Sequence, residues 1–196
     1  MPREHNTDND NTSGLPQLAI ILTGKGSKSI GETESSVSEQ SYKNVAVLKN
    51  TEQNPPVFFN SLTEAYEIYG FMSAGDVFAS KNSLQDIVNK LSESKFIGGI
   101  YADACVEEKG IVQEFYFPPH SHETFTKLVG VFPVFFKSQA IQGEPLDENL
   151  EYLYGHSALL KVSQSSIVSH IPEILFNLAT RELNIEKDIN YLKNVS

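Results

Sequence analysis

An α/β fold, with a mostly parallel sheet and helices on both faces, is predicted by three observations. Gln17 to Leu22 is a short, continuous apolar run, the mark of a strand buried on both faces. A polar segment of helical character and a second apolar run, Val45 to Leu48, follow at the spacing of a right-handed parallel βαβ unit. Tyr69-Gly-Phe-Met-Ser-Ala-Gly-Asp76 then reads as a strand that stops on a small-residue turn carrying one carboxylate. An amphipathic run from Ser83 to Leu91 comes after it.

The elements follow in order. Residues 1–16 are polar and form an arm with nothing to build a core from, so alone it is expected to be disordered. A neighbouring chain is the agent that would order it. Thr23-Gly-Lys-Gly-Ser27 is a turn, and Ser29 to Tyr42 is a predicted helix. Pro55-Pro56 breaks the chain. Ser61 to Tyr66 is a predicted short helix, with Ser61 as N-cap and Glu64 completing a capping box. Ile68 to Met72 is strand three. Ser83 is the expected N-cap of the helix that places Leu84, Ile87, Val88 and Leu91 on one face. Phe96 to Ala102 is a strand, and Gly110 turns the chain into Ile111 to Phe117. Val129 to Phe136 reads as a buried strand or sheet edge, Glu148 to Lys161 as a helix, and Ser166 to His170 as a short strand. Pro172 to about Asn194 is a predicted amphipathic helix, with Ile174, Leu178, Ile185, Ile189 and Leu192 on one stripe. This gives an arm at 1–16, a domain at 17–172 and a helix at 173–196, packed on the domain or on a partner.

Composition narrows the function. A chain of 196 residues with 40% hydrophobic and 20% charged content has the means for one packed domain. Its 25 acids against 15 bases give a net charge of −10, which disfavours nucleic acid and anionic membranes as partners. The single Cys105 excludes an intrachain disulfide and a four-cysteine zinc site. Its apolar neighbours predict an inert core thiol. Leu18 to Leu22 is too short for a signal core, so a cytoplasmic protein, or one packed into a particle assembled there, is expected.

Five strings together carry a resemblance. They are "PQLAIIL", "ESSVSEQSYKNVAVL", "FFNSLTEAYEIYGFMSAGD", "GGIYADACVEEKG" and "LDENLEYLYGHSALLKVSQSSIVSHIPEILF". In this order they resemble the inverting GT-A enzymes of glycosyltransferase family 2, over Pro16 to Arg181. Ser36, Val37, Gln40, Tyr42, Asn44, Val47, Tyr101, Asp103 and Gly110 match the family's patterns. The resemblance implies a single GT-A-like domain and a cleft for a nucleotide sugar.

The departures fall on the chemistry. The family's acidic residue after strand two, which holds the nucleotide, is replaced by Leu48-Lys49-Asn50-Thr51. Its metal-binding Asp-x-Asp at the end of strand three is reduced to Asp76 behind Ser73, Ala74 and Gly75. Its general base, from an acidic pair opening the late helix, is replaced by Tyr154-Gly155, with His156 next. A hard cation clamping a diphosphate needs several oxygen ligands, commonly more than one carboxylate. A positioned base is worth about 10²–10⁴ in rate.

Other constellations are weaker. Lys25, in the glycine turn after strand one, is placed to touch a diphosphate at the next helix N-terminus, as is Thr23, although a plain turn accounts for the same string. His120 and His122, with Glu123, suggest a transition-metal site, against the simpler reading of a solvated polar loop after Pro118-Pro119. Asp103 is expected either to cap the Glu107 to Gly110 turn or to serve as a base.

The expectation is therefore a catalytically degenerate glycosyltransferase-like domain, with no cofactor. It would act as a structural or binding module in a larger assembly such as a phage virion. Partner subunits would meet residues 1–16 and the C-terminal helix. The alternative is an active inverting nucleotide-sugar glycosyltransferase using Asp76 for Mn²⁺ or Mg²⁺ and His156 or Asp103 as base. A third is a glycan-binding module.

Overall fold

The computed structural model describes residues 14–24, 27–63, 65–119, 121, 131–141, 145–180 and 185–195. The strands are β1 (Leu18–Thr23), β2 (Val45–Asn50), β3 (Ile68–Ser73), β4 (Val77–Phe78), β5 (Ile97–Glu108), β6 (Ile111–Phe115), β7 (Val134–Lys137) and β8 (Ile167–Leu178). The helices are α1 (Ser27–Ser38), α2 (Pro55–Asn60), α3 (Ser83–Ser92), α4 (Ser138–Ile141), α5 (Tyr154–Val162) and α6 (Glu186–Val195).

One sheet in the order β2-β1-β3-β7-β5-β8-β4, with β6 beside β5, divides the core in two. β1 is buried along its whole length because both its faces are covered. Leu18 and Ile20 feed the cluster that also takes Val37 of α1 and Leu84, Ile87, Val88 and Leu91 of α3. Ala19 and Ile21 feed the opposite cluster, with Ala158, Leu159 and Val162 of α5. Phe58 and Phe59 of α2 and Tyr191 and Leu192 of α6 pack on that second cluster. Helices on both faces are as expected.

The sheet is mixed rather than purely parallel, with its longest ladders parallel. β1 pairs in parallel with β2 and β3, and β5 with β8. The pairs β3–β7, β5–β7, β5–β6 and β4–β8 are antiparallel. β7 lies in the middle of the sheet, with Phe135 and Phe136 buried on opposite faces. A strand buried on both faces reads as a continuous apolar run whichever way it points, so the sequence pattern could not carry its direction.

Four local expectations are corrected. The short helix is Pro55–Asn60, and Ser61 closes it at the C-terminal end, its N–H donating to Val57 and Phe58 carbonyls at 3.1 Å. Proline suits a first helical turn because the N–H it lacks would have no intrahelical partner there. The capping-box residue Glu64 lies outside the described residues. Ser83 is inside α3 rather than its N-cap, and its Oγ accepts the Ser80 N–H at 3.1 Å. The helix expected over 148–161 begins only at Tyr154. The helix expected from Pro172 is a strand as far as Leu178, and α6 starts at Glu186. The β5–β8 register jumps from Ala102↔Ile171 to Asp103↔Ile174, so Pro172, which has no N–H to give the ladder, sits in a bulge.

Cys105 is half-buried rather than in the core, and its thiol donates to Asn177 Oδ1 at 2.9 Å. Residues 1–13 of the arm lie outside the described residues. Its end is tied down: the Tyr42 hydroxyl donates to the Pro16 carbonyl, and Asn44 Nδ2 to the Leu15 carbonyl at 2.8 Å. No helix among the described residues is long and apolar enough to cross a membrane.

Candidate functional site

The strand order places the site. Strand order reverses at β1, since the parallel strand β2 lies on one side of it and the parallel strand β3 on the other. In open α/β sheets, ligands bind beyond the carboxyl ends of the strands at such a switch point. A cleft of about 700 Å³ opens there. Thr23 and Gly24 beyond β1, Asn50 to Pro55 beyond β2, and Ser73 and Ala74 beyond β3 line one side. Glu151, Tyr152 and Tyr154, with Ala179 and Thr180 beyond β8, line the other.

Thr23 stands at this cleft, and its hydroxyl is engaged. It meets the Tyr154 hydroxyl at 2.6 Å and lies 3.3 Å from the Met72 carbonyl. With the Thr23 proton given to Met72, Tyr154 donates to Thr23. Tyr154 thereby ties the far wall of the cleft to β1.

Asp76 is fully buried and is not among the residues lining the cleft. Its Oδ1 accepts the Ala179 N–H at 3.0 Å, and its Oδ2 the Ser73 N–H at 3.3 Å. The carboxylate thereby ties the β3–β4 turn to the end of β8. Gly75 makes the same junction possible. Its φ is +95°, and a Cβ there would stand 2.8 Å from Ala179 Cβ. Its N–H is taken by the Thr33 hydroxyl at 2.9 Å and the Ser29 carbonyl at 3.0 Å.

His156, in the first turn of α5, is 2% exposed. It borders a void of only about 10 Å³ beside Phe71 and Tyr154, scarcely room for one water. Burial lowers its pKa to about 4, so the ring is neutral around pH 7.

Asp103 does not cap the Glu107 to Gly110 turn. That turn closes itself, with Lys109 at φ 54° and Gly110 at φ 78° between paired Glu108 and Ile111. Instead Asp103 Oδ1 accepts the Phe117 N–H at 2.8 Å and contacts His170 Nε2 at 2.7 Å. His170 stacks on Tyr101, whose burial and Asp103 neighbour push the phenol up to about 12. This Asp–His pair borders a second cleft, of about 620 Å³, which shares no lining residue with the first. Lys25, His120 and His122 lie outside the described residues. Among the described residues no three His, Cys, Asp or Glu side chains gather as a metal site.

Sequence reasoning missed Glu52 and Glu151, the two carboxylates that line the main cleft among the described residues. It also missed Asp188 of α6, which is fully buried. Its carboxylate accepts the N–H groups of Glu151, Tyr152 and Leu153. The acidic first turn of α6 was the only signal.

No family model and no curated protein matches the sequence. Solved structures do match the fold. The first 349 residues of TarS from S. aureus superpose with a TM-score of 0.66 at 11% identity, covering 91% of this chain and 64% of that one. The same fragment with UDP-GlcNAc gives 0.62 at 12%, covering 86% and 60%. The mannosyltransferase PcManGT from Pyrobaculum calidifontis, solved with GDP-Man and Mn²⁺, gives 0.60 at 11%, covering 86% and 58%. This chain has a GT-A-like fold, the class the sequence resemblance implied. It spans roughly three-fifths of the length of those chains.

Proposed function

We propose that this chain is a catalytically degenerate GT-A-like domain that keeps a ligand cleft and works as a binding module. One observation carries the reading: the sole acid left at the metal-binding turn, Asp76, is fully buried and spends both oxygens on backbone N–H groups. An ion bridging a diphosphate needs carboxylate oxygens that face open space. Tyr154 at the base position, hydrogen-bonded to Thr23, supports the same conclusion. His156, with a pKa of about 4, is a weak base at neutral pH. Cleft size and position, together with the GDP-Man, UDP and UDP-GlcNAc complexes of its structural neighbours, make nucleotide sugars the first ligands to test.

A role within a larger assembly, a virion among the candidates, belongs to the same proposal. Partner contact is assigned to the polar arm, because Asp188, Tyr191 and Leu192 of α6 are engaged with the chain's own domain. Removal of residues 1–13 should then abolish assembly and leave the cleft's ligand binding intact. Binding lost along with assembly would count against that assignment.

The alternative, an active glycosyltransferase, is favoured by Glu52 and Glu151, which place two carboxylates at the cleft that Asp76 does not reach. Calorimetric titration with UDP-, GDP- and TDP-sugars, in Mn²⁺ and in EDTA, separates the two. The binding module takes its ligand equally in both and transfers no sugar. Metal-dependent micromolar binding, lost in Asp76→Ala, overturns it. Metal-dependent binding lost instead in Glu52→Gln or Glu151→Gln establishes the active reading with displaced acids.

A further inference from the structure

α5 does not close its own N-terminus. Its N-cap position is Leu153, whose side chain accepts no hydrogen bond. The first N–H groups of a helix have no intrahelical partner and need one from elsewhere. For the N-cap residue Leu153 it arrives from 35 residues further along the chain, and the same carboxylate also holds the Glu151 and Tyr152 amides of the turn that precedes the helix.

Asp188 lies in the first turn of α6 and is 0% exposed. Its Oδ2 accepts the Tyr152 N–H at 2.7 Å, the Leu153 N–H at 2.8 Å and the Glu151 N–H at 3.1 Å. Its Oδ1 stands 3.2 Å from the Glu151 nitrogen as well. One carboxylate therefore gathers three consecutive amides. A buried carboxylate without a cation is tolerable when it is hydrogen-bonded in this way, and the positive end of the α5 dipole favours it further.

The gripped residues are those of the cleft wall: Glu151 and Tyr152 line it, and Tyr154 follows directly. Tyr154 is held from the other side by Thr23 of β1. The wall is thus suspended between two hydrogen-bonded anchors, one on the sheet and one on α6. Around the second anchor, the Tyr191 hydroxyl takes a hydrogen bond from Asn149 Nδ2 at 3.0 Å, and Lys187 Nζ reaches Glu151 Oε2 at 3.4 Å.

We propose that Asp188 is the positioning residue of the cleft, and that α6 is a strap whose buried carboxylate sets where the Glu151 to Tyr154 wall stands opposite β1. The ligand consequence rests on the reading of this cleft as a nucleotide-binding site. The positional consequence does not. A helix cap serving only local stability is usually supplied by the N-cap residue itself. Borrowing it from α6 couples the wall to the chain's last helix.

Two readouts on the full chain test this: amide exchange along residues 150–154, and calorimetric titration with UDP. In Asp188→Ala the amides of Glu151, Tyr152 and Leu153 should exchange at least tenfold faster, while those of β1 and β3 keep their protection. The UDP Kd should rise at least fivefold. Asp188→Asn keeps one carbonyl acceptor and should recover part of both effects, and it also serves if the alanine variant fails to fold. A wall that stays protected in both variants overturns the strap. Faster exchange at 151–153 with an unchanged UDP Kd overturns the claim that the strap sets affinity. If the unaltered chain binds no UDP, the nucleotide reading of the cleft fails, and exchange at 151–153 alone decides the positional claim.

Discussion

Asp76 at 0% exposure has given up water for the N–H groups of Ser73 and Ala179, and its carboxylate is a structural fastener between a turn and a strand end. Asp76→Ala leaves both donors unpaired in a buried site. The expected loss is about 1–3 kcal/mol of unfolding free energy, read by urea denaturation. An exposed metal ligand would behave oppositely, with stability kept and Mn²⁺ affinity lost. His156 makes a pH prediction. Burial lowers its folded-state pKa to about 4 from the ordinary 6.5. The unfolded chain therefore takes up a proton first as pH falls. Stability from this group is complete above pH 6.5 and drains away toward pH 4, by roughly 3 kcal/mol over the window. His156→Gln should flatten that part of the stability profile, measured by denaturation at a series of pH values. An unchanged acid slope would show that the ring titrates normally.

Helix ends show where the sequence was legible and where it was not. The apolar face of α3 was readable because 3.6-residue periodicity is local, and Leu84, Ile87, Val88 and Leu91 are buried as expected. Its cap was not readable, because it comes from the turn that follows α1, far away in sequence. Gln40, 2% exposed, accepts the Leu84 N–H on its Oε1 at 3.0 Å. Its Nε2 donates to the Ser80 carbonyl at 2.9 Å and the Ser36 carbonyl at 3.2 Å. Ser36 Oγ accepts the Phe78 N–H at 2.8 Å. The residues that carried the family resemblance, Ser36, Gln40, Tyr42 and Asn44, are thus joints of the scaffold, which is how the fold could be read while the chemistry could not. Gln40→Leu should cost about 1–3 kcal/mol and loosen the start of α3, seen as faster amide exchange at Leu84. The boundary at Pro172 failed for a different reason. The apolar stripe from Ile174 to Leu192 joins a bulged strand to a separate helix, and a period counted across the gap between them has no physical meaning.

The whole molecule sets the electrostatic setting of the cleft. Net charge is −10, and the cleft's described lining includes Glu52 and Glu151 but no Lys or Arg. Lys25, the cation nearest in sequence to the end of β1, lies outside the described residues. A nucleoside diphosphate must approach this surface against repulsion unless a cation meets it. Screening shortens the reach of exposed charges from about 30 Å at 0.01 M salt to about 10 Å at 0.1 M. Raising the ionic strength should therefore relieve the repulsion and tighten UDP binding, the reverse of a site that grips phosphate with basic side chains. Titrations with UDP at low and moderate NaCl, in EDTA, read this directly. Uridine without the diphosphate is the control and should show no salt dependence. Affinity that falls with salt would place a cation on the diphosphate. Repeating the series on Lys25→Ala would then identify it, because a cleft that depends on Lys25 loses its salt slope along with its affinity.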